Sequence, residues 1–219
     1  MKTSQKLLAS AVAASTIALA AVAPVANAEV SGSVGVASSY LWRGIDLGAG
    51  EGTPAVSGDL SYSESGFYTG IWGSSGDTTG GTEYDLYLGY GGEAGDFSYD
   101  VSVWSYQYPT AGNSVGVEAS NDIGDLMEAV VSVGYGPVSI SYYHGLQDLE
   151  DYYYINASAS FGAFGVALGV HEDDMMHLDL SYAYNDNLSF TISQVVDDVD
   201  GGYDDDTNFV VSYSLPLGE

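Results

Sequence analysis

The sequence predicts an all-β chain: a transmembrane, antiparallel, up-and-down β-barrel of about 12 strands. Three observations predict it. Segments of about 9 to 11 residues alternate apolar and polar side chains, the length at which a tilted strand crosses a bilayer. The connections between them are short on one side and mostly longer and acidic on the other, as in a meander of hairpins with periplasmic turns and external loops. Aromatic residues gather at strand ends, where a ring buries its body in lipid and keeps its polar atom wet.

Residues 1–28 read as a secretory signal peptide: Lys2 and Lys6, an apolar run over 7–22, and Ala26-Asn27-Ala28 with cleavage expected after Ala28. That run is shorter than the ~20 residues of a helical membrane span. Residues 29–219 are then one barrel domain. In the first expected strand, 30–43, Val30, Val34, Val36, Tyr40 and Trp42 fall on one face, and Ser31, Ser33, Gly35, Ala37, Ser39, Leu41 and Arg43 on the other. The first set should face lipid and the second the lumen.

Eleven further strands are expected over 53–64, 66–74, 82–91, 96–107, 124–135, 137–145, 151–161, 163–171, 175–185, 187–197 and 206–215. Short turns fall at 65–66, 91–95, 136–137, 162–163 and 185–187; the other connections are 44–52, 75–81, 108–123, 146–150, 172–174 and 198–205. Parity is maintained throughout: Tyr84, Leu86, Leu88 and Tyr90 oppose Glu83, Asp85, Tyr87 and Gly89, and Tyr153, Ile155 and Ala157 oppose Tyr152, Tyr154 and Asn156. A soluble sandwich would turn such apolar faces toward each other, whereas a membrane barrel turns them to lipid.

Once the leader is removed, Arg43 is the one Lys or Arg against 30 Asp and Glu. Nucleic acid is excluded as a partner, since nothing basic remains to neutralise phosphates. A polybasic contact with anionic lipid fails for the same reason. Cysteine is absent, so backbone pairing must hold the fold without disulfides.

By parity Arg43, Asp59, Glu83, Asp85, Asp100, Glu128 and Asp179 are candidate pore-lining residues: an interior ion pair that pins the first strand, or an asymmetric charge at a constriction. Asp197, Asp198, Asp200, Asp204, Asp205 and Asp206 surround Gly201 and Gly202 and could wrap calcium, which takes several oxygens on a flexible loop. Their spacing does not match an EF-hand, and a solvated external loop is the ordinary reading of such acid. His144, His171 and His177 read as rim histidines, with no pair placed on one strand face and no thiol to join them.

The runs SSYLWRGID at 38–46, PAVSGDLSYSESGFYTGIWGSS at 54–75, TEYDLYLGYGGEAGDFSYDVSVWSYQYP at 82–109 and GYGPVSISYYH at 134–144 resemble the TorF family of porin-like exported proteins. The resemblance implies an outer-membrane barrel with porin activity and no catalytic residues. One departure is the end of the chain, where Tyr213 and Leu215 precede Pro216 in place of a terminal aromatic.

Together these observations lead us to expect a passive, water-filled, cation-preferring channel for small solutes in the outer membrane of a Gram-negative bacterium, without a cofactor and not an enzyme. The partners would be outer-membrane lipid and small cations or small hydrophilic solutes. Two alternatives are a structural or adhesive surface barrel plugged by its loops, with 108–123 as the plug, and a barrel hydrolase using a rim histidine. The oligomeric state is left open.

Overall fold

The computed structural model describes residues 28–48, 53–109, 123–199 and 201–217. Every regular element among them is a strand: β1 (Glu29–Ala37), β2 (Leu41–Trp42), β3 (Ile45–Asp46), β4 (Ala55–Glu64), β5 (Phe67–Asp77), β6 (Gly81–Ala94), β7 (Phe97–Gln107), β8 (Leu126–Tyr135), β9 (Val138–Gln147), β10 (Tyr153–Phe161), β11 (Phe164–His171), β12 (Met176–Ala183), β13 (Leu188–Asp197) and β14 (Asn208–Leu217). Twelve of them close into one antiparallel barrel in which each strand pairs with its sequence neighbour, β1 following directly on to β4. The seam is β1 against β14, from Gly32 opposite Leu217 to Ala37 opposite Ser212. No edge is left open, so the ladder satisfies its own backbone groups.

Tight hairpins close one end. Ser65 and Gly66 have φ of 52° and 89°, the two positive angles of a type I′ turn, whose twist matches that of the strands it joins. Above these turns an aromatic belt faces outward: Phe67, Tyr90, Phe97, Tyr135, Phe161 and Phe164 are all exposed. Between the ends, Val34, Leu60, Ile71, Leu88, Val101 and Ile140 continue the outward apolar surface. A soluble monomer rarely exposes so large an apolar area.

The wall departs from expectation at its first strand, which ends at Ala37 and not at residue 43. Residues 38–48 turn off the wall and carry β2 and β3, a separate two-stranded sheet. The turn also overturns the expected facing of Tyr40 and Trp42: Tyr40 is buried and bonds Glu83, and Trp42 stacks on Tyr152, so both lie inside the barrel and not toward lipid.

The lumen has two unlike halves. Toward the tight turns it is lined by small polar side chains, with cross-strand pairs such as Ser31 with Ser61, Ser132 with Ser141 and Ser139 with Ser158, each 2.8 Å apart. Toward the long connections it is packed. Trp104, Val130, Tyr143 and Tyr154 form a buried cluster joined by Tyr87, Tyr106 and Tyr152, and Ala37, Leu41 and Val210 form a second beneath the hairpin.

Candidate functional site

The hairpin at 38–48 organises the packed half. Where it leaves the wall, the Ser38 N–H donates to the Val211 carbonyl at 2.9 Å, and the Ser38 hydroxyl accepts from the Val211 N–H at 2.9 Å. Leu41 then pairs with Asp46 and Trp42 with Ile45, leaving Arg43 and Gly44 as a two-residue turn with φ of 48° and 84°. This is again the type I′ geometry. Gly44 is required twice over, since a Cβ there would also lie 2.4 Å from Cγ of His177. The return arm is fixed by the Leu47 N–H to the Tyr40 carbonyl at 2.8 Å and the Thr78 N–H to the Leu47 carbonyl at 3.0 Å.

Arg43 at the tip crosses to the far wall and is only 3% exposed. Its two terminal nitrogens each donate to one oxygen of Glu128 at 2.7 Å, and Nη1 also donates to the Tyr152 hydroxyl at 2.9 Å. The guanidinium lies over the rings of Tyr143, Trp42 and Tyr154, 4.3, 4.7 and 4.8 Å from their centroids. A planar fork on a carboxylate with aromatic faces around it is the arrangement in which arginine outperforms lysine. The Arg43 carbonyl accepts from Nε2 of His171 at 2.9 Å, so both ends of the residue are held.

The other inward carboxylates are mostly capped by tyrosine. Glu83 accepts from Tyr40 at 2.5 Å and Tyr108 at 2.8 Å, Asp59 from Tyr87 at 2.7 Å, and Asp100 from Tyr68 at 2.7 Å. Glu128 takes a further bond from Tyr106 at 2.5 Å. Asp179 accepts from Nδ1 of His177 at 3.1 Å, and Nε2 of His177 accepts from the Tyr154 hydroxyl at 2.8 Å. Asp85 differs: it is buried and its Oδ1 has no hydrogen-bond partner among the described residues. The rings of Tyr87 and Tyr68 lie across Gly70 and Gly89 of neighbouring strands, where an added Cβ would come within 2.4 Å of them.

All seven candidate lumen residues thus point inward, with one correction of route. Arg43 arrives on the tip of an inserted hairpin rather than from the face of the first strand, because that strand stops at Ala37. The histidines are corrected as well. His171 and His177 lie on adjacent strands with ring centroids 6.2 Å apart, buried at 2% and 0%, whereas His144 stacks on Tyr142 on the outer face. The expectation of a water-filled lumen is corrected for the half that holds the hairpin. A cleft of 140 Å³ remains beside the turn, between Ile45, Asp46, Val195 and Tyr203.

In the acidic loop, Asp204, Asp205 and Asp206 bring carboxylate oxygens within 4.8 Å of one another, all three exposed. Asp198 instead accepts the Tyr203 N–H at 2.8 Å, Asp197 ends β13, and Asp200 lies outside the described residues. Tyr203 donates to Asp173 at 2.7 Å, bridging two connections. Burial pushes the Tyr203 hydroxyl above its ordinary value, and the bond to Asp173 adds to the rise. Burial likewise raises the Glu172 carboxyl, with Asp173 adding repulsion. Most of 108–123, the plug expected from the sequence, lies outside the described residues.

Chemically this arrangement clamps a hairpin more readily than it turns over a substrate. His177 is wholly enclosed and both its ring nitrogens are engaged, so it has no free edge to present as a general base. The residues that escaped the sequence reading are Tyr106, Tyr143, Tyr152 and Tyr154. Their signal was present, since Tyr152 and Tyr154 share parity with Asn156 on the polar face.

No curated protein matches the chain at a significant level. A family model described as a bacterial protein of unknown function, Gcw_chp, matches residues 21–212. That span takes in the hairpin, its carboxylate partners and all but the last residues of the barrel wall, and the chain belongs to the Gcw_chp family.

Proposed function

We propose that the chain is an outer-membrane channel for small hydrophilic solutes, cations in preference, whose passage is narrowed at the outer end by the chain's own hairpin. The carrying observation is the inward face. Serine shares it with Asp59, Glu83, Asp85, Asp100, Glu128 and Asp179 against a single arginine, Asp100 lying opposite Ser132 in the serine-lined half and Glu128 bonded to Arg43 in the packed one. Rings of carboxylate favour cations, and low-dielectric walls focus their field. The outward apolar belt and the resemblance to TorF porins support the outer-membrane placement. The alternating turn lengths support putting both termini and the tight turns in the periplasm.

The test is conductance of the purified barrel in planar bilayers, with the reversal potential measured across a salt gradient. Cation-selective steps in dilute salt are expected; anion-selective steps would refute the preference. A second reading, a sealed surface barrel, is favoured by the burial of Arg43, Glu128, Tyr154 and His177 across the lumen. A correctly inserted barrel that never conducts would select it.

A further inference from the structure

Burial and hydrogen bonding are out of balance at one point of the lumen. Glu83, Asp85 and Glu128 are 3%, 4% and 1% exposed, and the one guanidinium of the lumen bonds Glu128 alone. Glu128 takes that guanidinium through two bonds and Glu83 is capped by two tyrosine hydroxyls. Asp85 lies on the same inward face, two residues from Glu83, opposite Trp72 on β5 and Tyr106 on β7. Its Oδ1 is shielded from solvent and receives no hydrogen bond from the described residues. A buried, ionised carboxylate without a partner costs several kcal/mol, so native proteins pair such a group, give it a metal or keep it protonated.

We infer that Asp85 is a binding site for a small inorganic cation, held in the combined field of Glu83 and Glu128. The donors in register with it are hard or aromatic: a carboxylate, the Tyr106 hydroxyl oxygen and the face of Trp72. Oxygen ligands select sodium, potassium, magnesium or calcium over softer metals. Three carboxylates against one guanidinium leave two negative charges, which one divalent ion balances, or one monovalent ion together with a proton. Unlike the exposed Asp204, Asp205 and Asp206 group, this site is enclosed by the hairpin and the wall. It does not depend on conduction, because a sealed barrel would hold the ion equally well.

The experiment uses the full barrel in detergent, stripped with chelator and exchanged into N-methylglucamine chloride, a cation too large for the site. Calcium chloride and sodium chloride are then titrated at constant ionic strength, and the thermal midpoint is followed by circular dichroism. The expected result is a saturable rise with one of the two salts, absent in Asp85→Asn and Asp85→Leu and retained in the triple variant Asp204→Asn, Asp205→Asn, Asp206→Asn. Two substitutions of opposite polarity keep the test informative if one fails to fold. Terbium luminescence, sensitised by Trp72 across from the carboxylate, should likewise be lost in both Asp85 variants. No saturable rise in the unaltered protein, a rise that survives in either folded Asp85 variant, or one that disappears in the triple variant would overturn the inference.

Discussion

Replacing Arg43 with methionine keeps most of the apolar stem and removes the guanidinium. Glu128 then keeps a single donor, Tyr106, at 1% exposure. Breaking a buried pair from one side costs about 3–5 kcal/mol, because the remaining charge is left uncompensated. The lost ring contacts add ~0.5–2 kcal/mol each at most, and not additively. This cost falls on hairpin docking and not on the wall, whose ladders Arg43 does not join. The loss therefore saturates once the hairpin has left the lumen. Even the lower figure, about 3 kcal/mol, corresponds to roughly a hundredfold loss of amide protection. Hydrogen exchange by mass spectrometry on a peptide spanning 38–48 reads it directly, with peptides from β9 and β10 as internal controls. Adding Glu128→Met to Arg43→Met removes the stranded charge and should restore much of the protection. Unchanged protection in the single variant, or an equal loss in the β9 and β10 peptides, would refute the latch.

Gly44→Ala should release the same hairpin without touching a charge, since its Cβ would sit 2.4 Å from His177 at a φ of +84°; the same exchange experiment checks it. If the channel reading holds, neutralising Asp85 and Asp100 together should lower cation preference more than neutralising Asp204 and Asp205, as measured by reversal potential. The difference should be largest in dilute salt, because screening acts over about 8 Å at physiological ionic strength. Tyr203→Phe removes the bond to Asp173 and should cost about 1 kcal/mol locally, seen as faster proteolysis within 198–207. Because burial raises the Glu172 carboxyl, the folded loop binds that proton more tightly than the unfolded chain does. Its contribution is present at low pH and lost as pH rises through the raised value; exchange in the 172–174 connection should follow that course, and Glu172→Gln should flatten it.

The wall was legible because a closed barrel with an apolar outer face leaves a period-two record along every strand, and the inward acids followed from the same count. The hairpin was not. Val36, Ser38, Tyr40 and Trp42 keep alternating through the corner, and Arg43-Gly44 lacks the Asn or Asp that usually marks a type I′ turn. The histidine pair was hidden for a different reason. His171 and His177 meet across a turn, on the inward faces of two adjacent strands, so no single-strand count could place them together. The caps Tyr68, Tyr87 and Tyr106 were visible as parity but not as partners, because a hydroxyl that reaches a carboxylate on another strand depends on the register of the whole barrel; Tyr40 and Tyr108 were not, since parity turned the first outward and the second fell in an expected connection.

Because the hairpin is bounded by β1 and β4, both ends of the plug are sewn into the wall it closes. Arg43 is in effect a tethered ligand of Glu128, present at the effective concentration of a short linker, in the millimolar range. A solute entering this lumen would contend with that built-in occupant, and the occupant would return at a rate independent of how much protein is present. Opening would leave nothing to diffuse away and nothing to be recaptured.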